Sequence, residues 1–242
     1  MPIITEPHDP MRRIKNFMKK IAPGLVSLRN HLRTRNLKSL SAEQIFNKYY
    51  EECFWGDPNT RSGRGSNLER TTFLRKALPA LVDELNAKTI LDIPCGDYYW
   101  MQQIDLKVST YIGADIVIKI VEENNKRFSN EKTKFEKLDL MEDNLPSVDI
   151  IFCRDCLVHF SYDDVFKAIK NIQRSNSAYL LTTTFQHLAT NTDIYTGDWR
   201  PINLQKPPFN FPQPTKVLDE HSPWPTDIRE GKSLGLWKIS DL

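Results

Sequence analysis

The sequence predicts an α/β fold built on a mostly parallel sheet with helices on both faces, and three observations predict it. Short apolar runs alternate with helical patterns between residues 89 and 184. Aspartates lie within or just after four successive runs, at Asp92, Asp115, Asp139 and Asp155. Beyond Phe185 the alternation stops, and a stretch dense in proline and aromatic residues leads to a last apolar run over 234–239. Strands covered on both faces read as continuous apolar runs, and such sheets bind ligands at the carboxyl ends of their strands, where the strand order reverses.

Each element has its own signal. Ser41 and Gln44 form a capping box that opens a helix through about Glu52. A loop follows from Trp55, continuing into Arg61-Ser62-Gly63-Arg64-Gly65-Ser66. Its glycines permit close backbone approach to a ligand, and Ser66 is expected to cap a helix over about 68–86. Strands are expected over 89–93, 111–116, 135–140, 148–153 and 178–184. The first is followed by the turn Pro94-Cys95-Gly96-Asp97, and the second by a helix reaching about Phe128. Ser161 with Asp164 marks a capped helix to about Arg174.

Composition narrows the classes. Of the 242 residues, 40% are hydrophobic and 26% charged, which fits a globular chain and excludes a disordered or collagen-like one. The chain has no apolar run near the roughly 20 residues a membrane-spanning helix needs. Pro2, Glu6, Pro7, Asp9 and Pro10 do not read as a secretory signal, and four cysteines are no disulfide framework, so a cytoplasmic setting is expected. The net charge of +2 hides an asymmetry. Nine basic residues and no acid lie between Met11 and Ala42, leaving an acidic remainder. Ile14, Phe17, Met18 and Ile21 make an apolar stripe within that arm, residues 1–40. The stripe suits packing on the body or a second copy, peripheral contact with the inner membrane surface, or, less well, nucleic acid. Cys153 and Cys156 make a lone C-x-x-C, which predicts buried thiols; no metal site is expected.

Four carboxylates in register with strand ends suit a ligand rich in hydroxyls and amines, as an adenosine is. The runs Ile90-Leu91-Asp92-Ile93-Pro94-Cys95-Gly96-Asp97, Ile112-Gly113-Ala114-Asp115-Ile116, Leu138-Asp139-Leu140 and Asp149-Ile150-Ile151-Phe152-Cys153-Arg154-Asp155 resemble the class I S-adenosylmethionine-dependent methyltransferases. Within them the chain looks like a bacterial subgroup of poorly defined substrate. The subgroup's marks are Arg-Ser-Gly-x-Gly-Ser, Cys-Gly-Asp-x-x-Trp and Cys-Arg-Asp-Cys-Leu-x-His, with Thr-Gly-Asp-Trp-Arg-x-x-Asn-Leu over 196–204. The turn departs from the family in keeping only Gly96 of three spaced glycines. A dinucleotide's pyrophosphate would need the others, whereas S-adenosylmethionine carries no phosphate.

The resemblance implies a Rossmann-like fold with a C-terminal antiparallel hairpin. The methyltransferase domain would span 41–242, with a cofactor core over 61–186 and an acceptor-side lid over 187–242. By the same resemblance, Asp92, Pro94, Cys95 and Gly96 would meet the methionine end of S-adenosylmethionine, Asp115 the ribose hydroxyls, Ile116 the adenine face, and Asp139 with Leu140 the adenine amine. Arg61, Gly63, Arg64 and Ser66 would fold over the methionine carboxylate, with Arg154 beside the cofactor. His159 is expected as general base, oriented by Asp155 four residues earlier on one helical face, although it also reads as a packing residue between Val158 and Phe160. Asp97, Trp100, Trp199, Arg200 and Asn203 are expected to line the acceptor site. The Asn/Asp-Pro-Pro-aromatic motif of amine methyltransferases is absent, which favours an oxygen acceptor on a small molecule or glycan, such as a surface-polysaccharide precursor. An RNA or protein methyltransferase guided by the basic arm, and a non-catalytic cofactor-binding scaffold, are the alternatives.

Overall fold

A computed structural model describes residues 37–220 and 231–242. The chain divides into two units, Met1–Leu40 and Ser41–Leu242, and the second holds every element considered below. The apolar stripe and most of the basic charges of the arm lie outside the described residues.

Seven strands form one sheet in the order β3-β2-β1-β4-β5-β7-β6. They are β1 (Thr89–Asp92), β2 (Thr110–Asp115), β3 (Thr133–Lys137), β4 (Ile150–Cys153), β5 (Tyr179–Thr184), β6 (Lys216–Asp219) and β7 (Ser233–Lys238). The pairs β1–β2, β2–β3, β1–β4 and β4–β5 are parallel. β7 runs antiparallel to both β5 and β6. This is the expected mostly parallel sheet with an antiparallel pair beside it. Alternate residues along β1 and β4 feed two cores. Leu91 and Ile151 face the helix Tyr162–Arg174, here α4, while Ile90, Ile150 and Phe152 face Leu74, Leu78 and Leu81 of the helix Leu74–Glu84, here α2.

Helix α1 (Ala42–Glu51) begins with the expected capping box: Ser41 Oγ accepts the Gln44 N–H at 3.2 Å and Gln44 Oε1 accepts the Ser41 N–H at 2.9 Å. In α4, Ser161 Oγ accepts the Asp164 N–H at 3.3 Å. Two boundaries differ from expectation. Helix α2 starts six residues later than the sequence suggests, and Ser66 does not cap it. Asn67 instead closes a turn onto the Arg70 N–H at 2.9 Å, and the Thr71 and Thr72 hydroxyls bond back to main-chain carbonyls. Such side chains compete locally with helix formation. β3 ends at Lys137, before Asp139, because the chain turns where Asp143 accepts the Asp139 N–H at 2.8 Å. This edge strand is closed by Asn125 of helix α3 (Ile118–Phe128), which bonds both the N–H and the carbonyl of Phe135.

Candidate active site

The sheet order reverses between β1 and β4, so the crevice opens at the carboxyl ends of β1, β2 and β4. Asp115 closes β2 and is only 5% exposed. One carboxylate oxygen accepts the Gly96 N–H at 3.1 Å and the other the Val117 N–H at 3.0 Å. Burial pushes its pKa up to about 6, and these main-chain donors oppose the shift. The Ile116 main chain also supports the carboxylate, and of its four lone-pair sites about one remains for a ligand hydroxyl. Beyond β3, Asp139 is half-buried; its Oδ1 accepts the Met141 N–H at 2.8 Å, and burial raises its pKa. Leu140 is buried and its carbonyl accepts from Asn171 at 2.9 Å. Ile116 packs with Phe46, Tyr50, Val117 and Ile120, where α1 rests on the start of α3.

The turn after β1 is knotted to its neighbours. Asp92 is buried and accepts the Tyr111 hydroxyl; burial pushes its pKa up to about 7, with Tyr111 opposing and Asp115 adding to the shift. Pro94 follows the cis Ile93–Pro94 peptide. The Cys95 N–H donates to the Ala114 carbonyl at 2.8 Å, and the Gly96 carbonyl accepts from Asn124 at 2.7 Å. Above this turn lies the loop 60–66, with Gly63 against Trp55: a Cβ there would stand 2.6 Å from the Trp55 Cβ.

On the other side of the crevice, Leu157–His159 form a single 3₁₀ turn after β4. His159 Nδ1 lies 2.7 Å from the Asp198 carbonyl oxygen. A carbonyl only accepts, so Nδ1 carries the proton and Nε2 keeps its lone pair. Burial lowers the His159 pKa, against raising contributions from the Asp198 main chain and the Asp155 charge. The edge of Trp55 meets the ring, with centroids 6.1 Å apart, and Phe46 and Tyr49 pack beside Trp55. Asp155 has a left-handed backbone (φ +55°), its N–H donates to Thr183 Oγ1 at 2.8 Å, and its Oδ2 lies 2.6 Å from Lys232 Nζ and 3.4 Å from Arg154.

Several expected ligand contacts have other partners. Arg154, 7% exposed, donates to Glu220 at 2.6 Å and to the Gly65 carbonyl at 2.9 Å. Arg61 donates to the Tyr50 carbonyl at 3.2 Å and lies over the Tyr50 ring, so its charge ties the loop to α1. Cys95 and Gly96 use both of their N–H groups inside the protein. On the acceptor side, Asp97 accepts from the loop, and Trp100 is buried against Arg154 and Phe152. Arg200 donates to the carbonyls of Leu157, Phe160 and Thr192, stapling the 195–200 segment to the 3₁₀ turn. Asn203 is 1% exposed and donates to the carbonyls of Gln186 and Leu188. Trp199 is half-buried and packs edge-on to Phe185. His159 and Asp155 do not share a helical face, because the chain bends at Asp155; the orienting contact to His159 comes from Asp198. Arg64 is exposed and Ser66 half-buried, both within the 3₁₀ turn Arg64–Ser66. Cys153 and Cys156 are buried, as expected. Asn124, Trp55, Glu220 and Lys232 carried no motif signal, since each acquires its role only through long-range contact, and Asp198 stood in the 196–204 motif with no role assigned to it.

Residues 90–176 match the family model described as a methyltransferase domain. With the sheet order above, that match gives the chain a Rossmann-like class I methyltransferase fold. The crevice fits S-adenosylmethionine, the cofactor the resemblance implies: the buried Asp115 carboxylate, with acceptor capacity beyond its main-chain donors, suits a ribose hydroxyl. Among solved structures, an S-adenosylmethionine-dependent methyltransferase from Clostridium acetobutylicum shares 13% identity, covers 71% of this chain and 92% of its own, and aligns with a TM-score of 0.50. Magnesium protoporphyrin IX methyltransferase from Synechocystis shares 15% identity over 64% of this chain and 81% of its own, with a TM-score of 0.46. Human N-acetylserotonin methyltransferase shares 16% identity over 48% of this chain, at a TM-score of 0.42, and the match spans 35% of that protein. These likenesses concern the fold of the methyltransferase domain. No curated protein matches the sequence. Among the described residues, no helix is long and apolar enough to cross a membrane, and no cluster of His, Cys, Asp and Glu is arranged to hold a metal.

Proposed function

We propose that the enzyme methylates an oxygen of a small molecule or glycan, with His159 as general base. The observation that carries this reading is the neutral imidazole pinned at Nδ1 by the Asp198 carbonyl, its Nε2 lone pair left for an acceptor proton. Bound S-adenosylmethionine supplies an electrophilic methyl group on a sulfonium. Asp115 accepts the ribose hydroxyls, Asp139 the adenine amine, and the loop 60–66 covers the amino-acid end. His159 Nε2 would take the acceptor's hydroxyl proton as the oxygen gains the methyl group, the methyl–sulfur bond breaking to leave S-adenosylhomocysteine. The ionised Asp155, held by Lys232 and Arg154, favours the imidazolium that results. Trp55 walls the acceptor side beside the His159 ring. Because the displacement is in-line, positioning by these groups supplies much of the rate. A surface-polysaccharide precursor fits the subgroup resemblance, with the basic arm holding the enzyme at an anionic membrane surface.

The test is S-adenosylhomocysteine release over a panel of hydroxyl-bearing small molecules, glycans, RNA and proteins. Turnover with a hydroxyl acceptor, lost about 10²–10⁴-fold in His159→Ala at unchanged cofactor affinity, is the expected outcome. Turnover confined to RNA or protein would overturn the acceptor class, and full activity in His159→Ala would overturn the base.

A further inference from the structure

We infer that Asp97 is the positioning residue of the cofactor cleft, holding the loop 60–66 in place at the amino-acid end of the cofactor. The inference rests on the cofactor placement proposed above. Three consecutive loop residues converge on this one carboxylate. Its Oδ1 accepts the Thr60 and Ser62 hydroxyls, each at 2.9 Å, and its Oδ2 accepts the Arg61 N–H at 2.8 Å. The Asp97 N–H returns a bond to Ser62 Oγ at 3.0 Å. The fit is tight enough that Gly96, with its left-handed backbone (φ +55°), has no room for a Cβ beside the Ser62 side chain. A second fastening comes from Arg154, which donates to the Gly65 carbonyl at 2.9 Å.

The sheet order gives these fastenings a direction. Asp139 follows β3 and Asp115 ends β2, so a ligand held by both extends next across β1 and β4. Asp97 follows β1 and Arg154 follows β4, and both fasten the loop there. The loop therefore stands at the end of the crevice opposite the adenine. An ionised carboxylate offers acceptors to all three donors at once, whereas an amide turns an N–H₂ toward one of them. Asp97→Asn thus keeps the volume and breaks the convergence. Through Gly63, the same loop packs against Trp55, whose edge meets His159, so its placement also reaches the acceptor wall.

Calorimetry of the full-length protein with S-adenosylhomocysteine and with 5′-methylthioadenosine, which lacks the amino-acid end, tests the assignment. Asp97→Asn is expected to weaken S-adenosylhomocysteine by about tenfold or more and methylthioadenosine by less than about threefold. Ser62→Ala removes one side of the convergence without touching a charge, and is expected to shift the two ligands in the same sense by a smaller factor. Unchanged S-adenosylhomocysteine affinity in both variants overturns the role of Asp97. So does an equal loss for both ligands, which marks a general loosening of the fold. A wild-type protein that binds neither ligand would instead overturn the cofactor placement itself.

Discussion

At position 159 a histidine whose free imidazole would titrate near pH 6.5 is buried and hydrogen-bonded through Nδ1, so it stays neutral further into acid. In the proposed mechanism the base form is the active one. kcat is therefore expected to be flat through neutrality and to fall only below about pH 6.5, measured against the proposed hydroxyl acceptor. Asp115→Ala removes the proposed acceptor for a ribose hydroxyl and is expected to weaken S-adenosylhomocysteine by about 10–100-fold in calorimetry, from the roughly 1.5–3 kcal/mol of a hydrogen bond to a charged group. Asp92 works in the opposite direction to a surface carboxylate. Its pKa is pushed up to about 7 in the fold, so the unfolded chain releases its proton first. The stability linked to it is present below about pH 4 and is lost as pH rises through about 7. Thermal unfolding from pH 5 to 8 should show a Tm that declines with pH, and Asp92→Asn should shrink that decline. Asp115, pushed up to about 6, maintains the remainder.

Between β6 and β7, charge burial decides more than charge number. Glu220 is 6% exposed and pairs with Arg154 at 2.6 Å and Lys232 at 3.1 Å, both equally buried. Removing one partner of such a set leaves buried charge uncompensated, so Glu220→Ala should cost about 3–5 kcal/mol in chemical denaturation. Lys216 and Glu84 also pair, but both are exposed. Lys216→Ala should change stability by no more than about 1 kcal/mol. β1, β2, β4, β5 and β7 were legible in the sequence as short runs buried along nearly their whole length, whereas β6, with one buried residue, gave no such run. The start of α2 was not, because Asn67, Thr71 and Thr72 bond their own backbone within a segment whose composition still suits a helix. The placement of Asp115 could be read because it stands at the end of an apolar run, which closes β2. Asp97, Arg154, Arg200 and Asn203 stand in equally recognisable motifs, yet a motif does not say which way a side chain turns. Glu220 and Arg154 are 66 residues apart in sequence, and nothing short of the fold brings them together.

At the scale of the molecule, the carboxyl ends of β2 and β3 carry Asp115 and Asp139, and the turn after β4 carries His159, so the proposed adenosine end and acceptor end lie across the β1–β4 reversal from each other. Every described residue assigned to the crevice falls within the unit Ser41–Leu242. The last strand of that unit adds a consequence in time. β7 lies between β5 and β6, so residues 233–238 must arrive before either neighbour has its full set of partners. During synthesis, β1 to β3 can pair as soon as they emerge, whereas Arg154 waits for Glu220, and Asp155 for Lys232. The nascent chain thus passes through a stage with its cofactor half formed and its acceptor half carrying an unpaired sheet edge. A ribosome stalled before residue 232 would present that edge to chaperones or to another copy of itself.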